Sequence, residues 1–155
     1  MAFRITGLSP EPFQSLFGLP EQDLESLGMK RYIVGSNPGF PDRIEMEDAQ
    51  LGRSVLLLNH VCQPANTPYR ASHAIFIRKW ATQAYDAVDQ VPQSMQIRLL
   101  SLRAFTDAGM MLDAEVAEGI AIEPVIAQMF SNPEVSYIHV HNAKQGCYSG
   151  RIDRA

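Results

Sequence analysis

Ser54 to Val61 reads Ser-Val-Leu-Leu-Leu-Asn-His-Val, a continuous apolar run of strand length. Such a run predicts a central strand covered on both faces. Phe3–Thr6, Met29–Val34, His73–Trp80, Ile97–Phe105, Val135–His141 and Gly146–Ile152 also read as strands. Asp107-Ala108-Gly109 is a tight turn, after which Leu112, Ala114 and Val116 alternate with Asp113 and Glu115, the pattern of a β-hairpin. Helical signals are shorter and fewer. Ser9 before Pro10 predicts a helix through Phe17, and Pro20 opens one over Glu21–Leu27 closed by Gly28. Thr82–Val88 is expected as a third, and Pro124 opens a last one through Phe130, stopped by Asn132-Pro133. Strands outnumber helices and are not regularly interleaved with them, so the class is α+β. The expected architecture is a mostly antiparallel sheet of six to nine strands with three or four short helices, in a single domain over residues 1–155. It becomes mixed if the last strand, helix and strand form a βαβ unit.

Hydrophobic residues at 46% and charged residues at 19% are enough for a real core and exclude a mainly disordered chain. No apolar run approaches the roughly 20 residues needed to cross a bilayer. The N-terminus lacks the layout of a signal peptide, so the expected location is the cytoplasm, with Cys62 and Cys147 as free thiols. The net charge of −4 argues against a nucleic-acid binder. That charge is unevenly distributed: residues 1–50, 51–105, 106–134 and 135–155 sum to −4, +4, −6 and +2. If the two basic segments meet, they form a locally positive site suited to a small anion.

The densest chemistry lies in Tyr137-Ile138-His139-Val140-His141 and Cys147-Tyr148-Ser149-Gly150-Arg151-Ile152. Alternation sets Ile138 and Val140 against Tyr137, His139 and His141. Matching the apolar sets pairs Val140 with Tyr148, His141 with Cys147, His139 with Ser149 and Tyr137 with Arg151, around a five-residue loop. The competing register has a four-residue loop and pairs His141 with Tyr148. On the first register one face gathers two imidazoles, a thiol, a hydroxyl, a phenol and a guanidinium, and three readings stand. In nucleophilic chemistry His141 is the base, Cys147 the nucleophile and Arg151 the anion holder. In a metal site His139, His141 and Cys147 are the ligands, with His60 and Cys62 repeating the two-residue spacing nearby. The third reading is structural, a satisfied polar face under a helix or in a subunit interface.

A second cluster is presented by the proline-fixed loop Thr67-Pro68-Tyr69-Arg70 leading to His73. Arg103 lies within the apolar stretch Leu99–Phe105 and needs either Asp113 or Glu115 across the hairpin or a bound anion. In the functional version Arg70, Arg103 and Arg151 surround one carboxylate or phosphate.

Phe3-Arg4-Ile5-Thr6-Gly7-Leu8, Thr67-Pro68-Tyr69-Arg70 running into Ser72-His73-Ala74-Ile75-Phe76, and His139-Val140-His141-Asn142-Ala143 with Gly146-Cys147-Tyr148 and Arg151-Ile152-Asp153-Arg154 carry a resemblance. Together they resemble a bacterial family catalogued as domain of unknown function 1203, over the whole chain. The resemblance implies a complete single-domain bacterial protein and brings no activity, cofactor or catalytic residue. The expected function is therefore a pocket for a small anionic molecule. Its ligand residues are Arg70, His73, Arg103, His139, Ser149 and Arg151, with His141 and Cys147 as the reactive pair. Nucleic acid and membrane are not expected partners, no motif calls for a cofactor, and a homodimer is compatible with the sequence. A non-catalytic interaction domain and a metal-binding protein are the alternatives.

Overall fold

The computed structural model describes residues 1–155 as two antiparallel sheets with three short helices. The larger sheet contains six strands in the order β5(Asp86–Val88), β1(Phe3–Thr6), β9(Tyr148–Arg154), β8(Tyr137–Asn142), β6(Leu99–Phe105) and β7(Met111–Glu118). The smaller sheet contains β2(Lys30–Ile33), β3(Ser54–Gln63) and β4(Ala71–Arg78). The class is α+β, and every strand pair is antiparallel. β7 and β8 flank β6 on opposite sides, so they run parallel to each other across it, joined by the helix α3(Ile122–Phe130). The strand–helix–strand element read from the sequence is therefore present, with a strand inserted between its two strands. No helix is long and apolar enough to cross a membrane.

Each face of the large sheet has its own cover. Ile5, Leu100, Leu102, Ile138, Val140 and Ile152 form one face, and α3 lies on it. Within α3 the buried residues Ile122, Ile126, Met129 and Phe130 recur at helical spacing and make one apolar stripe. Pro124 is the third helical residue, where its missing N–H breaks no bond. Phe130 is 2% exposed in this core. Phe130→Ala should cost about 3–5 kcal/mol of stability, read as a lowered urea midpoint with an unchanged slope. A loss under about 1 kcal/mol would show that α3 does not anchor the layer.

The opposite face of the large sheet packs against the small one. Gln63 Nε2 donates to Tyr137 Oη at 2.8 Å, and the rings of His73 and His141 lie 4.9 Å apart. Leu56, Leu58, Ile75 and Ile77 fill the rest of this interlayer with Phe13, Leu24 and Tyr148.

Three expectations need correction. Ser54–Val61 is indeed a central strand, but only its first residues are covered on both faces. β2 is four residues long and pairs only as far as Leu57, so Asn59 and Val61 turn outward into solvent. Thr82–Val88 is not a helix. Asp86–Val88 instead closes the open edge of β1, where Asp86 pairs with Arg4 and the Asp89 carboxylate accepts from Phe3 N–H at 2.9 Å. A single helical turn, α2(Gln93–Gln96), follows after Pro92. The segment opened by Ser9 and Pro10 is only a 3-10 turn over Gln14–Gly18, while α1(Glu21–Ser26) is close to its expected span.

Candidate functional site

The register of the last hairpin decides what meets on the interlayer face. Ile138 pairs with Ile152, His139 with Arg151 and Tyr137 with Asp153, and then the ladder slips so that His141 pairs with Tyr148. Ser149 is the extra residue of the bulge and is buried. The favoured register is thus corrected: His141 does not face Cys147, and Tyr137 does not face Arg151. Matching of the apolar sets still holds beyond the bulge, in Ile138 opposite Ile152. At the loop end the competing pairing holds instead. An uninterrupted alternation cannot contain both, and a bulge reconciles them at the cost of one unpaired residue. Its consequence is chemical, because Tyr148 swings onto the histidine face, where its ring lies 5.3 Å from His139 and 5.9 Å from His141.

The chain has four histidines, and all four come to this interlayer. His60 and His73 are opposite each other on β3 and β4, and His139 and His141 project from β8. His60 lies 5.9 Å from Tyr148 and His139 6.4 Å from His141. Burial is the leading cause of their perturbed ionisation. It pulls His139 down to about 4, with Arg151 adding to the effect, and His141 down to about 3, partly offset by the Gly146 carbonyl. His60 and His73 are shifted down for the same reason. The imidazoles are therefore neutral at pH 7. Burial pushes the Tyr148 phenol up and the Cys62 thiol up as well.

Three potential ligand atoms converge here. One each from Cys62, His73 and His141 all lie within 4.8 Å of one another, on β3, β4 and β8. His141 Nδ1 is 3.0 Å from the Gly146 carbonyl oxygen, which can only accept, so the proton is on Nδ1 and Nε2 keeps its lone pair. His73 Nε2 and His139 Nδ1 are buried without any hydrogen-bond partner. Of the ligands read from the sequence, the fold retains His141, exchanges Cys147 for Cys62, and has His73 where His139 was expected.

Cys147 sits instead on a buried arginine. Arg43 is 2% exposed; its Nε donates to the Tyr148 carbonyl at 2.7 Å, Nη1 to the Pro41 carbonyl and Nη2 to Cys147 Sγ at 3.1 Å. No carboxylate forms an ion pair with it. The neighbouring Asp42 carboxylate is occupied by the backbone N–H groups of Ile44, Glu45 and Arg78. The sulfur thus takes the place at the guanidinium that a carboxylate usually fills. Asn142 Nδ2 is 3.5 Å from the same sulfur, and its Oδ1 is buried with no partner. These groups open onto a cavity of about 310 Å³ lined by Arg43, His73, Arg98, Asn142, Gln145 and Cys147 together with small and apolar residues. No acidic side chain lines it. Arg98 is held beside it by a bidentate pair with Asp48 at 2.7 Å. A larger cleft of about 450 Å³, at Phe13, Phe17 and Trp80, contains no histidine or cysteine.

The other expected ligand residues do not form one set. Arg70 is exposed and donates to the Pro64 carbonyl of its own loop. Arg151 is bound by Asp153 at 2.7 Å and lies 4.1 Å from the Tyr137 ring centroid. Arg103 is opposite His139 on one side and Ala114 on the other, donates only to Ser101 Oγ at 3.2 Å, and has neither Asp113 nor Glu115 as partner. Arg43, Arg98 and Asn142 were not singled out from the sequence. Arg43 follows directly on Asn37-Pro38-Gly39-Phe40-Pro41-Asp42, a run of turn-forming residues, and its partner sulfur is 104 residues away. The available signal was weaker: Asn142 and a cysteine at the two ends of a short hairpin loop.

No curated protein and no solved structure matches the chain. Residues 39–154 match the family described as Protein of unknown function (DUF1203), a span that contains every residue named for the 310 Å³ cavity and for the Cys62, His73 and His141 cluster but not the Phe3–Leu8 phrase, and the chain belongs to that family.

Proposed function

We propose that this protein binds a small anionic molecule, carrying a carboxylate or phosphate, in the 310 Å³ cavity, and that Cys147 is the group that acts on it. The observation that carries the reading is the Cys147 sulfur accepting from a buried guanidinium that has no carboxylate, at the wall of an open cavity. Arg43, which has no carboxylate partner, lines that cavity and no acid does, which favours an anion over a cation; Arg98 on the same wall is already paired with Asp48. Asn142 and Gln145 add amide groups for orientation. The role of nucleophile read for Cys147 is kept, whereas the anion-holding role passes from Arg151 and Arg70 to Arg43, the guanidinium of the cavity wall with no carboxylate of its own. His73 is the imidazole that borders the cavity, with His141 one ring farther, 4.9 Å away.

A titration with inorganic phosphate, followed by amide NMR shifts, tests the binding half of this reading. The amides of Gly39, Ala74, Gln145 and Cys147 are expected to move saturably with phosphate and not with chloride at equal ionic strength. Shifts no larger than those of chloride, or confined to residues away from the cavity, would remove the anion site.

A further inference from the structure

We propose that Cys62, His73 and His141 form a second site, a divalent transition-metal centre at the junction of the two sheets. It is independent of whether the neighbouring cavity takes an anion. Three strands deliver the set from two sheets: Cys62 at the bulged end of β3, His73 on β4 and His141 on β8. The donors are one sulfur and two imidazole nitrogens, a combination that selects zinc-like ions over magnesium or calcium. Their ligand atoms lie within 4.8 Å of one another. Tetrahedral zinc, with bonds of about 2.3 Å to sulfur and 2.0–2.1 Å to nitrogen, needs them roughly 3.5 Å apart. Closure by about an ångström suffices, and Cys62 is the residue placed to supply it, since the ladder shifts register between Val61 and Gln63.

Two further features point the same way. The Gly146 carbonyl fixes the proton of His141 on Nδ1, the outer-shell arrangement that presents a ring's other nitrogen to a metal. His73 Nε2 is buried with nothing to accept from or donate to, and a metal ion satisfies it. Entry of the ion breaks the Cys62 S–H bond and forms a metal–sulfur bond, with one proton released to solvent. The neutral imidazoles release none. Arg103, on the same face and without a carboxylate, opposes the cation, and the thiolate offsets part of this charge. Three protein ligands leave a fourth position for water or an anion.

The test uses the full chain stripped with a chelator and reloaded with cobalt(II). One cobalt per chain and a thiolate-to-cobalt charge-transfer band are expected. Cys62→Ser should abolish the band and weaken binding by at least about 100-fold, because even outer-shell partners are worth 10–100-fold. Cys147→Ser should leave band and stoichiometry unchanged, which separates this centre from the anion cavity. No thiolate band in the wild type, or a band that survives Cys62→Ser, would overturn the assignment, whatever the phosphate titration shows.

Discussion

Metal-free protein taken from pH 7 to pH 4 is expected to lose on the order of 6 kcal/mol of folding stability, from two histidines alone. His139 and His141 are 4% and 2% exposed, and burial depresses them to about 4 and about 3. In the unfolded chain both titrate near 6.5. Above that pH neither state holds the proton and the pair contributes nothing to the pH dependence. Below it the unfolded chain binds protons that the folded one refuses, so stability falls until the folded values are reached. At about 1.36 kcal/mol per pH unit the loss by pH 4 is on the order of 3 kcal/mol from each. Asp42, pushed up by burial, works in the opposite direction. Against the 5–15 kcal/mol typical of a domain, the two histidines bring the protein close to acid unfolding. Urea midpoints at pH 7, 5 and 4 measure it, and His139→Gln should flatten the curve. Equal midpoints at pH 7 and 4 would mean that these rings are hydrated in solution.

Gly7→Ala should be the most damaging single methyl in the chain's N-terminal half. An added Cβ would lie 2.1 Å from the Ile44 carbonyl oxygen and 3.1 Å from that of Arg43, both backbone atoms. The same place is held by Leu8 N–H on the Arg43 carbonyl at 2.8 Å, Gly7 N–H on the Tyr85 carbonyl at 2.8 Å and Tyr85 N–H on the Ile44 carbonyl at 2.7 Å. No rotamer relieves such a clash, so the two backbone segments must part. The expected loss is about 3 kcal/mol, the upper end of overpacking. Because the displaced segment carries Arg43, the donor to Cys147 Sγ should move with it, and the phosphate response of the cavity should vanish in whatever fraction remains folded. Gly35→Ala, with no atom within 4 Å of the added carbon, is the matched control and should change stability by less than about 0.5 kcal/mol. Equal behaviour of the two variants would show that the Gly7 approach is not tight in solution.

Local signals carried much of the fold. Alternation and turn residues located β1, the β6–β7 hairpin and the strands of the last hairpin, and Asn132-Pro133 marked the end of α3, which opens two residues before the expected start at Pro124. What remained illegible was non-local. Alternation assumes an unbroken ladder, and the one residue inserted at Ser149 moves Tyr148 to the other face. His73 and the spacing of His60 and Cys62 were visible as chemistry, but nothing local says that their sheet stacks on the β8 histidines. Arg43 is the extreme case. Its burial follows from contacts across a hundred residues, and a guanidinium in a proline- and glycine-rich stretch looks like surface until the fold closes around it.

The most direct measurement is a comparison of two alkylating reagents of nearly equal size at Cys147, with Cys62 as the internal reference, in chelator and at constant pH. Iodoacetate carries a carboxylate and iodoacetamide does not. Both react by attack of sulfur on the methylene carbon, forming S–C and expelling iodide with the bonding pair. An anion-holding cavity around a reactive sulfur should raise the iodoacetate-to-iodoacetamide rate ratio at Cys147 about 10-fold above that at Cys62, the size of one hydrogen bond to a charged group. The same ratio at both cysteines, or a Cys147 that neither reagent modifies in the folded protein, would contradict the account.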